Sequence, residues 1–248
     1  YDSVSSLARR IARQYSPNGF LVVGVGPEIT PLLTFLEIQR PGSTFPMGLN
    51  NFFYNPYVGP DDPSYVYSHR PIPEDGPLMQ SLFNYWDHFF PTEEEMQGRS
   101  VILVGYSKDG EMIFSLQNYL AKYFQRKGRS VALTNMIFTE RINHQILTEN
   151  ATRYRILETN SILLDGRHAE FLAALAENIY GPYSEVIPFD VADTRQMLRP
   201  NHAAHQMLVL LLARKMQADP ALGVRTVTVR ICGEIFENSL PTAMIQAI

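Results

Sequence analysis

Apolar positions along this chain fall into two kinds of run, and their alternation predicts most of its elements. Short continuous runs bounded by turn residues mark strands covered on both faces. Residues 20–23 (FLVV) and 101–104 (VILV) are of this kind, and 130–138, 155–164, 186–189 and 224–236 read as further strands. Between them apolar residues recur at helical spacing. Over 2–15 the stripe is Val4, Leu7, Ala8, Ile11 and Ala12, with Asp2 or Ser3 as the expected cap and Ser16-Pro17-Asn18-Gly19 as the stop. Helices are also expected over 31–39 (Leu32, Leu33, Leu36), 78–90, 112–120 (Met112, Leu116, Tyr119, Leu120), 169–179 and 202–218. The stretch from 139 to about 154 reads as a polar connection. Strand and helix alternate throughout, which predicts an α/β fold with a mostly parallel sheet.

Residues 41–78 break this rhythm. Eight of the 17 prolines fall there, with Gly42, Gly48, Gly59 and Gly76, so neither a regular helix nor a central strand fits. Short strands are expected within 45–54 and 65–68. A connection this long inside a compact domain is usually a lid, a binding loop or an insertion laid on the surface.

Composition narrows the function classes. The formal net charge of −4 disfavours a broad basic surface for nucleic acid, while leaving room for a local basic site for a phosphorylated small molecule. No apolar run reaches the roughly 18 to 20 residues a membrane helix needs, and no membrane association is expected. A single cysteine, Cys232, allows no intramolecular disulfide and reads as a buried thiol. The opening residues lack a secretory-leader pattern, and a chain opening on Tyr1 reads as a processed form or a piece of a longer protein. A cytoplasmic location is therefore expected, with a homodimer as a candidate assembly.

Candidate chemistry concentrates in two strand-to-helix loops. Gly24-Val25-Gly26-Pro27-Glu28 leaves the first strand, and Gly105 to Glu111 (GYSKDGE) leaves the strand at 101–104. In open α/β sheets such loops, at the carboxyl ends of strands, are where ligands bind. The leading helix, the strand FLVVGVGPE and the unit QGRSVILVGYSKDGEMIFSLQNYL together resemble the type I phosphoribosyltransferase fold. The resemblance covers roughly residues 1–140 and implies a core in which 41–78 takes the place of the hood, with 141–248 as a C-terminal α/β extension. It implies that Gly24, Val25 and Gly26 hold pyrophosphate and that Ser107, Lys108 and Gly110 hold a 5-phosphate. It further implies a Mg2+ cofactor, a ribose-phosphate or nucleotide ligand, and glycosyl transfer. Where that family carries two consecutive acids this chain has Gly105 and Tyr106, leaving Asp109, Glu111 and Ser107 as the catalytic candidates.

Two other readings of the same residues stand beside it. Gly105-Tyr106-Ser107-Lys108-Asp109 approximates the G-x-S-x-G elbow of α/β-hydrolases, with Asp109 at the second glycine position. Ser107, Asp165 and His202 then follow the chain order of that triad. The alternative is a non-catalytic binding module, with the aromatic 41–90 region as a partner surface. His202 and His205 stand at i and i+3, near Asp190 and Asp193 in sequence, but capping and surface histidines are commoner than ligands and no metal site is expected there. His144 and His168 are expected to titrate at the surface, and Trp86 to lie in the core.

Overall fold

The computed structural model describes residues 1–16, 18–47, 77–178, 211–218, 227–231 and 234–238. Helix α1 (Asp2–Gln14) precedes strand β1 (Phe20–Val25), a 3-10 turn (Pro27–Ile29), α2 (Thr30–Gln39) and β2 (Thr44–Met47). Then come α3 (Pro77–Phe89), α4 (Glu93–Met96), β3 (Ser100–Tyr106), α5 (Glu111–Arg126) and β4 (Leu133–Glu140). A 3-10 turn (Arg141–Asn143), α6 (His144–Arg153), β5 (Asn160–Leu164) and α7 (Gly166–Asn178) follow. Residues 211–217 form α8, and β6 (Val227–Ile231) and β7 (Glu234–Asn238) end the described chain.

Strands β1 to β5 form one sheet in the order β2-β1-β3-β4-β5, every pair parallel. The expected α/β class with a parallel sheet is thus present, and β5 continues the same sheet beyond residue 140. Period-two alternation sends the apolar strand residues to opposite faces. Leu21, Val23, Val25, Val101, Leu103 and Ile137 meet α3, α5 and α6 on one face, whereas Val22, Ile102, Val104, Met136 and Phe138 meet α1, α2, α7 and α8 on the other. The three layers explain why 101–104 is apolar at every position: both faces are covered.

Trp86 is fully buried as expected, within 5.9 Å of the Phe83 ring and 5.4 Å of Tyr123 between centroids. Such aromatic contacts add about 0.5–1.5 kcal/mol each beyond area burial. On the edge, β2 is fixed by a buried acid. Glu37 accepts from the amides of Gly42 (2.6 Å) and Thr44 (3.0 Å) and from the Thr44 hydroxyl (2.8 Å).

Several expectations need correction. α1 starts at Asp2 with Tyr1 at its N-cap and no side-chain cap bond, so neither Asp2 nor Ser3 caps it. The polar connection after β4 is a helix, α6, that buries only Leu147, Asn150 and Ala151. The late strand is two described strands, β6 and β7, paired antiparallel. Of the 41–78 segment, 41–47 and 77–78 are described, and β2 supplies one of the two short strands expected there. The strand over 65–68, the strand over 186–189, Asp190, Asp193, His202, His205 and Cys232 lie outside the described residues.

Candidate functional site

The strand order reverses between β1 and β3. β1 connects through α2 to β2 on one side, and the chain then returns to place β3 on the other. Ligands of open α/β sheets bind outside the carboxyl ends of the strands at such a reversal. Val25 pairs with Gly105 in register, so the loops leaving β1 and β3 emerge side by side. Gly24, Val25 and Gly26 therefore lie next to Ser107, Lys108, Asp109, Gly110 and Glu111 at one end of the sheet.

The glycines of these loops serve packing. A β-carbon at Gly24 would strike Leu33 of α2, 2.9 Å from its Cγ. One at Gly105 would lie 2.7 Å from Ile113 Cδ1 and 3.0 Å from the Val25 carbonyl oxygen. Helices α2 and α5 can sit close to the sheet because both side chains are absent. Gly26 differs: its φ is +93°, a left-handed backbone that favours glycine, and the Glu28 carboxylate lies where its β-carbon would be, with Oε2 2.6 Å from that position.

Glu28 follows in the 3-10 turn and is only 5% exposed. Desolvation pushes its carboxyl from an ordinary value of 4.5 up to about 7, against hydrogen bonds from its own amide and that of Tyr106. Tyr106 ends β3, and its hydroxyl donates to Glu140 Oε1 at 3.4 Å. Burial, then Glu140 and Glu28, raise the Tyr106 hydroxyl above its usual range. Sequence reasoning placed Glu28 in its loop without giving it a role. The available signal was an acid one residue past Gly-Pro, at the end of a buried strand, with no basic neighbour in sequence.

The β3–α5 turn is closed by its own side chains. Ser107 Oγ accepts from the Gly110 amide at 2.8 Å and donates to Asp109 Oδ1 at 3.1 Å, and the same Oδ1 accepts from the Glu111 amide at 3.1 Å. Two of the amides that a phosphate would use at the N-terminus of α5 are thus taken. From α6, Asn150 Nδ2 donates to the Asp109 carbonyl at 3.1 Å. Glu111 turns toward the same helix, 3.4 Å from Arg153 Nη1. Lys108 is exposed and pairs with no carboxylate among the described residues. Replacing Ser107 with Ala is expected to lower stability by about 1 kcal/mol, because the Gly110 amide loses its acceptor. Urea denaturation at pH 7 measures it.

Asp165 sits at the end of β5, two strands from β3, and caps α7 rather than facing Ser107. It accepts from the His168 amide at 2.9 Å and lies 2.8 Å from His168 Nδ1. These contacts hold the Asp165 carboxyl below its usual range. His168 was expected at the surface; it is 8% exposed, because the first turn of α7 packs inward toward the sheet and the Pro27–Ile29 turn. His144 is exposed. Among the described residues no group of three or more His, Cys, Asp or Glu side chains gathers at a spacing that could hold a metal ion. No described helix is long and apolar enough to cross a membrane.

A cavity of about 450 Å³ lies at the opposite, amino end of the sheet, lined by Arg99, Lys127 and Arg129 among others. Its cations are engaged structurally: Lys127 with Asp87 at 2.7 Å, Arg129 over the Phe124 ring, and Arg99 with the carbonyls of Gly42, Glu95 and Met96. We therefore place the candidate site at the carboxyl end. No known protein family, curated protein or solved structure matches this chain.

Proposed function

We propose that the crevice between the β1 and β3 loops binds a small phosphorylated ligand of the ribose-phosphate or nucleotide class, in the manner of a phosphoribosyltransferase-like protein. Glycosyl transfer at the ribose is the reaction class that goes with this reading. The observation that carries it is the juxtaposition of the two loops at the point where the strand order reverses. Lys108 supports it as an exposed, uncommitted cation beside the crevice.

The serine-hydrolase alternative needs a histidine to accept from Ser107. That hydroxyl donates to Asp109, and Asp165 is engaged by His168, so the geometry favours the first reading.

A thermal-shift titration with ribose 5-phosphate, nucleoside monophosphates and phosphoribosyl pyrophosphate, with and without Mg2+, tests the proposal. A ligand that binds only the folded state at 100 times its Kd adds about 2.7 kcal/mol, a rise of several degrees in Tm. Lys108→Ala should cut that rise by half or more while leaving the ligand-free Tm within about 1 °C, as expected for an exposed residue. No rise with any phosphorylated ligand would end this reading.

A further inference from the structure

The β1 loop carries an acid where an anionic ligand group would have to sit. Gly26 adopts the left-handed backbone that lets a group approach the chain closely, and the Glu28 carboxylate lies against it. That carboxylate also takes the Tyr106 amide at the end of the neighbouring strand. The elements packed against the Pro27–Ile29 turn are α2, β3 and α7. From β3 the facing group is Tyr106, itself tied to Glu140. From α7 it is the inward-turned His168, held by Asp165, while Arg167 and Glu170 are exposed. From α2 the ionisable residue is Glu37, committed to Gly42 and Thr44 at the far end of the helix. The exposed cation of the site, Lys108, belongs to the other loop. The β1 side thus presents the buried Glu28, and the β3 side presents exposed Lys108 beside two acids already engaged, Asp109 by the Ser107 hydroxyl and the Glu111 amide and Glu111 by Arg153.

Resting on the binding reading above, we propose that Glu28 is the specificity-determining residue of the crevice. It excludes a pyrophosphate group from the Gly24–Gly26 loop and restricts the ligand to ribose monophosphates, such as ribose 5-phosphate or a nucleoside monophosphate. The single phosphate lies toward Lys108. The group facing Glu28 is neutral or cationic and hydrogen-bonding, as a ribose hydroxyl or a nucleobase edge would be. A carboxylate in the pyrophosphate position repels a polyanion by direct Coulomb interaction in a partly dehydrated site. A carboxyl group also offers either an acceptor or a donor to a neutral partner. On this proposal Gly24, Val25 and Gly26 do not hold pyrophosphate, contrary to what the resemblance implies.

The experiment is calorimetric titration of inorganic pyrophosphate and of ribose 5-phosphate into the wild type and Glu28→Gln at pH 8. Glutamine keeps the shape and the acceptor for the Tyr106 amide but carries no charge. We expect pyrophosphate to bind Glu28→Gln at least tenfold more tightly than wild type, with ribose 5-phosphate affinity changed less than threefold. Equal pyrophosphate affinity in the two proteins, or pyrophosphate binding to neither, overturns the proposal. Should the variant fold poorly, the wild type alone is titrated at pH 6 and pH 8. Pyrophosphate affinity that is at least fivefold higher at pH 6, with inorganic sulfate as the control for a fixed-charge dianion rising in the same direction, supports the proposal; affinity independent of pH sinks it. Ribose 5-phosphate binding is read separately. Its absence from both proteins defeats the function proposed above, whatever pyrophosphate does.

Discussion

Glu28→Gln is expected to make the protein markedly more stable at pH 8 and to leave it almost unchanged at pH 4.5. The wild-type carboxyl titrates near 7 in the folded protein because burial disfavours its charge, against an ordinary value of 4.5. Between those values the folded protein holds a proton that the unfolded chain has released. Stability therefore falls as pH rises from about 4.5 to 7, and above 7 the full cost is present. A displacement of that size corresponds to about 3 kcal/mol. Glutamine pays none of this, so the gain grows across the same window and then levels off. For a chain of this length the Tm difference at pH 8 should reach roughly 6–12 °C. Melting curves of both proteins from pH 4.5 to 8.5 give the answer. Two parallel curves would mean that Glu28 is charged and solvated in the folded state.

A buried acid of this kind lowers stability at neutral pH. Glu37 provides the contrast. It is equally buried, yet its oxygens receive three hydrogen bonds that fix the start of β2. Glu28 lies in the Pro27–Ile29 turn, at the mouth of the strand reversal. Strongly shifted groups in such places are candidates for function. The same physics that predicts a more stable glutamine variant makes Glu28 a candidate for ligand contact under the binding proposal.

The β3–α5 unit was legible in the sequence because both of its signals are strong. Four apolar residues in a row need two covered faces, and of the stripe expected over 112–120, Leu116, Tyr119 and Leu120 are buried on α5 while Met112 is half-buried. α6 was not legible for the opposite reason. Its buried side is Leu147, Asn150 and Ala151, while the apolar Ile146 is exposed, so the stripe that marks a helix is interrupted. The antiparallel pairing of β6 with β7 was not legible either, because the sequence from Val227 to Phe236 reads as one strand-like run.

At the site, both loops could be found from their position after buried strands, but not the work of their residues. A glycine in sequence says only that a β-carbon is unwelcome. At Gly24 and Gly105 the reason is a helix side chain, and at Gly26 it is a carboxylate two residues on. Nor does sequence reveal that Ser107 and Asp109 spend their hydrogen bonds closing their own turn. The pairing of Asp165 with His168 depends on the i,i+3 geometry of the first turn of α7, a cap that the distant match with His202 obscured.

Gly110→Ala should be a strongly damaging single-methyl change at the site. Gly110 has φ +75°, where an L-residue loses about 1–2 kcal/mol. Its β-carbon would also lie 2.6 Å from Leu147 Cδ1 and 2.6 Å from Phe114 Cε2, and overpacking of this kind costs about 1–3 kcal/mol. The sum is on the order of 3 kcal/mol. Gly128→Ala isolates the first contribution: its φ is +68°, but nothing lies within 4 Å of the new methyl, so about 1 kcal/mol is expected. Urea denaturation of both variants separates strain from crowding. A cost at Gly110 no larger than at Gly128 would mean that α6 yields freely, and that the α5 turn is not braced by Leu147. A larger cost would mean that the turn is clamped from above by α6 and from within by Ser107 and Asp109. In that case Gly110→Ala, compared at a temperature where it remains folded, should also weaken ribose 5-phosphate binding, since relief of the crowding has to move the turn that carries Lys108.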